Sequence, residues 1–408
     1  MQRTTVRPST MTDQPILPGS VDGGVPATLG VMGGGQLGRM FVHAAQRMGF
    51  FTAVLDPDPA SPAGLVSHHH VQTAYSDPQG LARMAQLCAA ITTEFENVPA
   101  DAMATLAALR PVAPGAATLA IAQDRAREKA HFSDCGVPCA PYALVSTAAQ
   151  LAAVGAQLLP GILKTARMGY DGKGQVAVPD RAALGAAWDQ LHRAPCVLEQ
   201  RMALDAECSV IVARGRDGAM VHFPVQRNLH RDGILTVTEV LAGGLPPALA
   251  TQAIESAQAI AQGLQYVGVL CVEFFVVQGR LLVNEIAPRP HNSGHYTMDA
   301  CDQSQFELQV RTLAGLPLVA PQQHSQAIML NLMGDVWFGR CAGHARAGPV
   351  TPPWDRVLAL PGAHLHLYGK REPRPGRKMG HLTLTAEQAG QVRDTCLRAA
   401  SILGIAFG

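Results

Sequence analysis

Two glutamates stand near the same end of a segment that is predicted to form a β-hairpin. Apolar runs on either side of Gln278-Gly279-Arg280 predict its two strands, with Glu273 on the first and Glu285 on the second. A three-residue turn at 278–280 sets Glu273 opposite Glu285, whereas a two-residue turn sets Asn284 there. Opposed like charges destabilise a sheet, and burying them unpaired costs several kcal/mol each.

A divalent cation bound by Glu273 and Glu285 would relieve both costs. Ligands that are all oxygen favour Mg²⁺ over Zn²⁺. The alternative is a pair of salt bridges, with Arg289 as the nearest candidate partner in the sequence. We favour the metal, so the hairpin predicts a magnesium site.

A glycine-rich segment at 169–175 predicts a phosphate site. Its sequence, Gly-Tyr-Asp-Gly-Lys-Gly-Gln, lies between two short apolar strands, and Lys164 ends the first of them. Backbone N–H groups of such a loop can cover a polyphosphate, and a lysine adds a point charge. The alternative is a flexible hairpin with solvated lysines, but three glycines beside an inward lysine favour the phosphate. The apolar strand that ends in Glu199-Gln200 could present an adenine site, although an ordinary strand end is the default.

The segment Gly33-x-Gly35-x-x-Gly38 matches a dinucleotide-binding pattern between a strand and a helix, and Asp56 follows near where a ribose-binding acid belongs. Alone, this pattern is equally typical of a tight turn without a cofactor. A nicotinamide-dependent oxidoreductase is therefore one competing hypothesis. It leaves the glutamate hairpin and the second glycine loop without a purpose.

Two further segments predict a site for a second, anionic substrate. Arg289-Pro-His291-Asn-Ser-Gly-His295 directly follows the hairpin, and the stretch from Lys370 to Lys378 holds five cations in nine positions. The second could be a solvated loop, but its local charge favours phosphate binding. The run His68–His70 has no spaced partner and is predicted to be an exposed loop.

The elements that must position these residues change in character along the chain. Strands and helices alternate through about residue 120, which predicts a parallel α/β domain. Antiparallel hairpins follow as an α+β domain, and a smaller β-rich segment after residue 316 ends in a helix. We expect domains at 27–122, 123–316 and 317–408, after a disordered leader at 1–26 that is rich in Thr, Pro, Gly and Ser.

The composition of the chain limits the classes of partner that it can bind. The chain has 408 residues, 48% hydrophobic and 15% charged, with a net charge of +1. This excludes disorder over most of the length and gives no footprint for nucleic acid or an anionic membrane. There is no run of about 18 uninterrupted apolar residues. The nine cysteines form no CxxC pair and no secretory signal is evident, so we expect reduced thiols in the cytoplasm.

Six ordered motifs resemble those of the N5-carboxyaminoimidazole ribonucleotide synthetases. These are the ATPase subunits of phosphoribosylaminoimidazole carboxylase, in the ATP-grasp superfamily. The resemblance covers essentially the whole chain from residue 28 to its end. Its six motifs are Gly33-Gly-Gly-Gln-Leu-Gly-Arg-Met40, Glu94-Phe-Glu-Asn97, 169–175, Asn228-Leu-His-Arg-Asp-Gly-Ile234, Asn284-Glu-Ile-Ala-Pro-Arg-Pro-His-Asn-Ser-Gly-His295 and Arg374-Pro-Gly-Arg-Lys378. The resemblance implies a three-domain ATP-grasp fold: an N-terminal Rossmann-like parallel sheet, a central ATP-grasp domain and a small β-rich C-terminal domain.

The resemblance also implies roles for individual residues. ATP would contact residues of the central domain, namely Arg125, Lys164, Gly169, Tyr170, Asp171, Gly172, Lys173, Gly174, Gln175, Glu199, Gln200, Arg201, Met202, Glu207, His230, Asn284 and Glu285. Mg²⁺ would be held by Glu273 and Glu285. The ribonucleotide would be bound from all three domains, by Gln36, Leu37, Glu94, Glu96, Asn97, Arg289, His291, Asn292, Ser293, Lys370, Arg377 and Lys378. Lys164, Glu273, Glu285 and Arg289 would act in catalysis.

The implied reaction joins bicarbonate to 5-aminoimidazole ribonucleotide at the expense of ATP, through carboxyphosphate, in purine synthesis. Because carboxyphosphate must be kept from water, the loop 169–174 is expected to close over the site. The family suggests a homodimer, and the end of the chain at Gly408 suggests a separate mutase. Two other hypotheses stay open: a sibling ATP-grasp ligase that acts on formate or biotin, and a catalytically silent nucleotide-binding protein.

Overall fold

The computed structural model describes residues 14–22, 25–169, 174–339 and 348–406. Its first part is an α/β unit. The elements of this unit are β1 Val21–Asp22, β2 Val25–Pro26, β3 Thr28–Met32, α1 Gln36–Arg47, β4 Phe51–Leu55, β5 His69–Val71, α2 Pro78–Leu87, β6 Ala90–Thr93, α3 Ala100–Ala107 and α4 Ala116–Ala122.

The N-terminal sheet is parallel, as the alternation of strands and helices predicts. Its order is β5-β4-β3-β6. Helix α1 packs Leu37, Met40 and Phe41 into the core beside β3. Because β3 and β6 are neighbours in a parallel sheet, their carboxyl ends meet at one edge, where α1 begins and Glu94 follows β6.

The central part contains two sheets. Its elements are α5 Arg125–Asp134, β7 Tyr142–Val145, α6 Ala148–Ala152, β8 Gly161–Thr165, β9 Gln175–Val178, α7 Leu184–Gln190, β10 Cys196–Gln200, β11 Ala206–Arg214, β12 Met220–His222, β13 Gln226–Arg231, β14 Ile234–Val240, α8 Pro247–Gly263, β15 Gly268–Val277, β16 Arg280–Ala287, α9 Thr297–Ala300 and α10 Gln305–Ala314. The smaller sheet has the antiparallel order β7-β10-β8-β9.

The C-terminal part extends the second sheet. It contributes β17 Gln326–Met333, α11 Trp354–Leu358, β18 Ala363–Leu367, β19 Lys378–Ala386 and α12 Ala389–Leu403. The order β16-β15-β11-β13-β14-β17-β19-β18 runs across the expected boundary at 316/317, because β14 pairs with β17. A core of α12 against β17 and β19 closes this end. The parallel N-terminal sheet and the antiparallel sheets confirm the predicted fold class.

The glutamate hairpin has the turn length of one sequence alternative and the glutamate pairing of the other. Val277 pairs with Arg280, so Gln278 and Gly279 form a two-residue turn, and both have positive φ values of 50° and 70°. Such a turn suits the twist of a hairpin. A bulge at Asn284 then shifts the register, so that Glu273 pairs with Glu285 after all. The turn is therefore the two-residue alternative, while Glu273 opposes Glu285 as in the three-residue alternative.

Two local expectations differ from the structure. Residues 14–22 and 25–26 of the expected leader are ordered: β1 pairs with β2, and the Ile16 N–H donates to the Ala314 carbonyl at 2.8 Å. Residues 1–13 lie outside the described part. The run His68–His70 is not simply an exposed loop, because β5 begins at His69 and the Thr52 N–H donates to His68 Nδ1 at 3.2 Å.

The eight cysteines within the described residues are all free, and six of them are buried in the cores (Cys88, Cys196, Cys208, Cys271, Cys301 and Cys396). Within the same residues, no helix has the length and apolar character needed to cross a bilayer.

Candidate active site

The glycine loop at 33–38 is filled by a side chain of the same domain. The Glu94 carboxylate accepts hydrogen bonds from the Gly35 N–H at 2.5 Å and the Gly38 N–H at 2.8 Å, at the start of α1. A Cβ atom on Gly35 would lie 2.4 Å from Glu94 Oε1. Burial raises the pKa of Glu94, although the two N–H groups oppose that rise. The helix N-terminus that a pyrophosphate would need is therefore occupied by a carboxylate of the chain.

Asp56 is also engaged within this loop. Its carboxylate accepts hydrogen bonds from the Gly34 N–H at 2.7 Å and the Tyr75 hydroxyl at 2.6 Å. Glu94 and Asp56 thus explain the glycines without a dinucleotide, which removes the main support for the oxidoreductase hypothesis.

A cavity of about 330 Å³ lies where the three parts of the chain meet. Twelve of the residues predicted for ATP or ribonucleotide line it, with members from all three parts: Gln36, Leu37, Glu94, Glu96, Asn97, Arg125, Gly169, Glu285, Arg289, His291, Asn292 and Lys378. Sites at distant sequence positions are thus brought together around one space. The predicted residues Tyr170, Asp171, Gly172 and Lys173 lie outside the described residues.

Arg289 faces the cavity as a fixed cation. Its Nε donates to Glu96 Oε2 at 2.5 Å, and its Nη1 donates to the Pro290 carbonyl at 3.2 Å. Burial opposes the charge of both side chains, yet their mutual attraction lowers the pKa of Glu96 and raises that of Arg289. Arg289 therefore pairs with Glu96 and not with the glutamates of the hairpin, as the salt-bridge alternative had supposed.

The two hairpin glutamates have different partners. Glu273 Oε1 lies 3.1 Å from His291 Nε2, and Glu285 Oε2 accepts from Arg125 Nη1 at 3.0 Å. Burial, with the nearby charge of Glu285, raises the pKa of Glu273 to about 7. Burial lowers the pKa of His291 well below its ordinary value, so the imidazole is neutral and does not cancel the acidic charge.

Lys164 belongs to a buried cluster with Glu199. The Lys164 Nζ donates to Glu199 Oε2 at 2.9 Å, and the Lys129 Nζ lies 3.2 Å from Glu199 Oε1. The three side chains are at most 11% exposed. Burial opposes the Glu199 charge, but the two ammonium groups hold its pKa below the ordinary value. Two cations against one anion leave a positive excess at this point, on β8, β10 and α5.

The remaining predicted ATP contacts lie on neighbouring strands. Glu207 Oε2 on β11 lies 2.8 Å from His230 Nδ1 on β13, and this contact raises the pKa of His230 against the effect of burial. At the end of β10, the Gln200 N–H donates to the Pro141 carbonyl at 2.9 Å. The next residue, Arg201, is exposed, and its N–H donates to the Pro160 carbonyl at 2.9 Å. Gly174 has a φ of 70° and its carbonyl accepts from the Thr165 N–H, immediately before exposed Gln175. Met202 is half-buried.

The predicted cationic segment at 370–378 contributes one side chain to the cavity. Lys378 lines it, whereas the Lys370 Nζ donates to the Lys378 carbonyl at 2.7 Å and the Arg377 Nη1 donates to the Glu372 carbonyl at 3.0 Å. Ser293 is fully buried beneath His291, and its Oγ accepts from the Ser209 hydroxyl at 2.8 Å. Lys370 and Ser293 therefore do not line the cavity themselves. They contact Lys378 and His291, which do line it.

Glu128 and Lys129 were missed from the sequence, whereas His295 lay at the end of a predicted segment but was given no individual role. Glu128 lines the cavity and accepts from the Ile286 N–H at 2.8 Å; burial and Glu285 raise its pKa to about 8. Lys129 joins Glu199, and His295 lines the cavity with a pKa lowered to about 3 by burial and His366. The spacing Arg125-x-x-Glu128-Lys129 was an available signal, since positions i, i+3 and i+4 share a helix face.

Comparison with known proteins agrees with this geometry. Three family models match in order along the chain: the ribonucleotide synthetase preATP-grasp domain at 26–123, the ATP-grasp domain at 130–306 and the phosphoribosylaminoimidazole carboxylase C-terminal domain at 327–395.

Whole-chain similarity is equally consistent. The N5-carboxyaminoimidazole ribonucleotide synthase of Brucella melitensis is 44% identical over 88% of this chain and 96% of its own length. A crystal structure of the ADP complex of an N5-carboxyaminoimidazole ribonucleotide synthetase has a TM-score of 0.85 at 36% identity, covering 97% of this chain and 99% of that one. The Aspergillus clavatus enzyme, in complex with ADP and 5-aminoimidazole ribonucleotide, has a TM-score of 0.82 at 30% identity, covering 93% and 98%. The resemblance predicted from the motifs is confirmed, and the chain belongs to the N5-carboxyaminoimidazole ribonucleotide synthase family of ATP-dependent ligases with the ATP-grasp fold.

Proposed function

We propose that this protein carboxylates 5-aminoimidazole ribonucleotide on its amine, with bicarbonate and ATP as the other substrates and ADP and phosphate as products. The observation that carries the proposal is the cavity at which cationic, acidic and glycine-loop residues of all three parts converge. The ADP and aminoimidazole ribonucleotide in the similar Aspergillus clavatus structure support the same pair of ligands here.

The ATP phosphates would lie near the cluster of Lys129, Lys164 and Glu199. Its surplus positive charge is buried, so a phosphate oxygen there would compensate a charge that water cannot reach easily. The loop 169–175 would cover the phosphates, and the strand end at 199–202 would face the adenine. Arg125, which pairs with Glu285, would stand between the phosphates and the acidic hairpin.

The acidic hairpin fits Mg²⁺. Glu273 on β15 pairs with Glu285 on β16. The bulge leaves Asn284, which precedes Glu285, without a paired residue on β15. Among the described residues, Asn284 Oδ1 is a buried oxygen without a hydrogen-bond partner. Two carboxylates and an amide oxygen are the ligand types that Mg²⁺ takes. Bound there, the ion would neutralise charge on the transferring phosphoryl group.

The ribonucleotide would occupy the space between the N-terminal part and the hairpin. Arg289, held by Glu96, and Lys378 supply the cations for its phosphate, and Lys370 holds the backbone of Lys378 in place. Gln36, Leu37, Asn97 and Asn292 lie on the walls, and Glu94 fixes the turn that presents Gln36. His291 is neutral in this cavity, so it can donate or accept a hydrogen bond without adding charge.

The chemistry divides into two steps. A bicarbonate oxygen attacks the γ-phosphorus of ATP and ADP leaves, giving carboxyphosphate. The substrate amine then attacks the carboxyl carbon, or the CO₂ that carboxyphosphate releases; phosphate leaves and the amine loses a proton. The chain's contribution is to align the reactants, to place Lys164 and Arg289 near developing negative charge, and to exclude water.

The test is an ADP-release assay in which each substrate is omitted in turn. We expect rapid release only when bicarbonate and 5-aminoimidazole ribonucleotide are both present, with the carboxylated product verified by labelled bicarbonate. Rapid turnover with formate in place of bicarbonate would instead assign the chain to a sibling ligase reaction. ADP release at the same rate with and without the ribonucleotide would rule out the proposal.

A further inference from the structure

A second cluster of potential metal ligands lies away from the acidic hairpin, where the C-terminal part meets α9. Asp299 comes from α9, His366 from β18 and His381 from β19. One ligand atom from each of the three lies within 4.8 Å of the others. His366 and His381 pair directly across the two antiparallel strands, so their rings stack on the same face with centroids 4.5 Å apart.

The side chains of this cluster are already held in place. The Asp299 oxygens lie 3.1 and 2.9 Å from His366 Nε2, and His364 Nδ1 lies 3.8 Å from Asp299 Oδ1. On the other side, the Tyr368 hydroxyl lies 3.0 Å from His381 Nδ1. A ligand histidine is ordinarily oriented by such a contact at its second nitrogen.

His381 supplies the independent sign of a missing partner. The side chain is 0% exposed, and its Nε2 has no hydrogen-bond partner among the described residues. Leaving a buried polar atom unsatisfied costs about 1–3 kcal/mol. In the tautomer in which His381 Nδ1 donates to Tyr368, Nε2 carries the lone pair that a metal ion requires.

A simple ion pair between Asp299 and His366 explains less. It accounts for those two residues, but it leaves Nε2 of His381 unsatisfied. Two imidazoles and one carboxylate form the donor set of borderline transition metals rather than of Mg²⁺. Tetrahedral zinc bonds of about 2.1 Å space ligand atoms by about 3.4 Å. The Asp299–His366 contact is close to that spacing, so the main adjustment falls on His381.

We propose that Asp299, His366 and His381 bind one divalent transition metal ion, with zinc as the best-fitting ion and His364 within reach as a fourth ligand. The ion would join α9 of the central part to β18 and β19 of the C-terminal part. An entry path exists, because His366 lines a surface cavity of about 420 Å³ between α1 and β18. The site is separate from the proposed catalytic magnesium, and its occupancy does not depend on the reaction.

The test uses Zn²⁺ alone as the probe, in competition with a chromophoric chelator and in the presence of excess Mg²⁺ to protect the oxygen site. We expect one tightly bound zinc ion per full-length chain. Because His366 and Asp299 are direct ligands, His366→Gln and Asp299→Asn should each lower the affinity by more than the roughly 10–100-fold typical of residues that only orient a ligand. Both residues are only partly buried, which favours folded variants. Cobalt(II) should give visible absorption bands of a low-coordinate site in the wild type and lose them in both variants.

Two matched controls separate this site from others. Glu273→Gln alters the cluster of Cys271, Glu273 and His291, which is the other group of candidate ligands among the described residues, and His324→Gln removes an exposed histidine. Both should keep the tight zinc. Zinc should also raise the melting temperature of the wild type but not that of His366→Gln. The proposal fails if the wild type binds no zinc against the chelator, if His366→Gln binds it equally, or if Glu273→Gln is the variant that loses it.

Discussion

Two charge clusters of opposite sign flank the proposed ATP site. The pair Glu273 and Glu285 is acidic: among the described residues, Arg125 forms an ion pair with Glu285, while Glu273 lies against a neutral His291. The cluster of Lys129, Lys164 and Glu199 is basic. Among the described residues neither excess is fully balanced. The cost is highest where the charges are least exposed, at Glu199 with its two lysines and at Glu273, whereas the Glu285 side chain is 42% exposed. A magnesium–nucleotide complex has the complementary pattern, with a cation at one end and phosphate oxygens beside it.

The largest expected effect comes from the acidic cluster. Glu285→Gln should lower kcat by about 10³-fold, because it removes a proposed magnesium ligand while it keeps the shape of the side chain. Circular dichroism and a melting curve should show a folded protein. The kcat of the variant should stay low at saturating ATP and rise only with added Mg²⁺. Activity equal to the wild type at limiting Mg²⁺ would remove the metal role of the hairpin.

Substitutions in the basic cluster should weaken the use of ATP rather than change the requirement for Mg²⁺. Lys164→Met should lower kcat/KM for ATP by about 10²-fold, since it removes a charge-assisted contact to phosphate. Excess Mg²⁺ should not restore it. Lys129→Met is the matched variant, because Lys129 contacts the other oxygen of Glu199. If either lysine variant were rescued by Mg²⁺ as Glu285→Gln is, the division between a metal end and a phosphate end would not hold.

A smaller effect is expected at the ribonucleotide side, where Glu96 positions Arg289 without carrying the substrate charge. Glu96→Gln keeps one hydrogen-bond acceptor but removes the ion pair at 2.5 Å. We expect KM for the ribonucleotide to rise by about 10-fold with little change in KM for ATP. Initial-rate kinetics with each substrate varied separates the two. An equal rise in both KM values would indicate a general loss of structure.

The sequence predicted local chemistry better than it predicted register and long-range partners. The strand bounds around Glu273 and Glu285 followed from apolar runs, but the bulge at Asn284 did not, since a bulge is selected by packing and twist. Similarly, the glycine pattern at 33–38 predicted a strand–helix turn correctly. It could not reveal that Glu94, far along the chain, fills that turn.

The partners of charged residues were the least predictable part of the site. Arg289 was the candidate partner of the hairpin glutamates only in the salt-bridge alternative, which we did not favour, and it pairs with Glu96 from the N-terminal part. Lys129 and Glu128 lie on a helix whose polar face looks ordinary in sequence, and only the packing of α5 against β16 buries Glu128 beside Ile286. Such contacts depend on how separate parts dock, which local spacing does not encode.

The last expected effect is on the free energy of unfolding. It tests how much uncompensated negative charge surrounds Glu285 in the acidic cluster. Glu128 is buried beside Glu285 and its pKa is raised to about 8. A raised carboxyl pKa means that its contribution to stability is present at acidic pH and is lost as the pH rises toward and through 8. Glu128→Gln, which can still accept from the Ile286 N–H, removes the ionisation.

We therefore expect Glu128→Gln to match the wild type near pH 5, where Glu128 is protonated and nearly isosteric with glutamine. At pH 9, without ligands, the variant should be more stable by on the order of 4 kcal/mol, since each pKa unit between pH 5 and 8 corresponds to about 1.4 kcal/mol. Denaturant unfolding across this range measures the gap, and Glu255→Gln on the exposed face of α8 serves as the control for the same substitution at an exposed site. A gap that stays constant with pH would show that Arg125 already compensates Glu128. The acidic side would then carry less unbalanced charge than the lysine cluster opposite it.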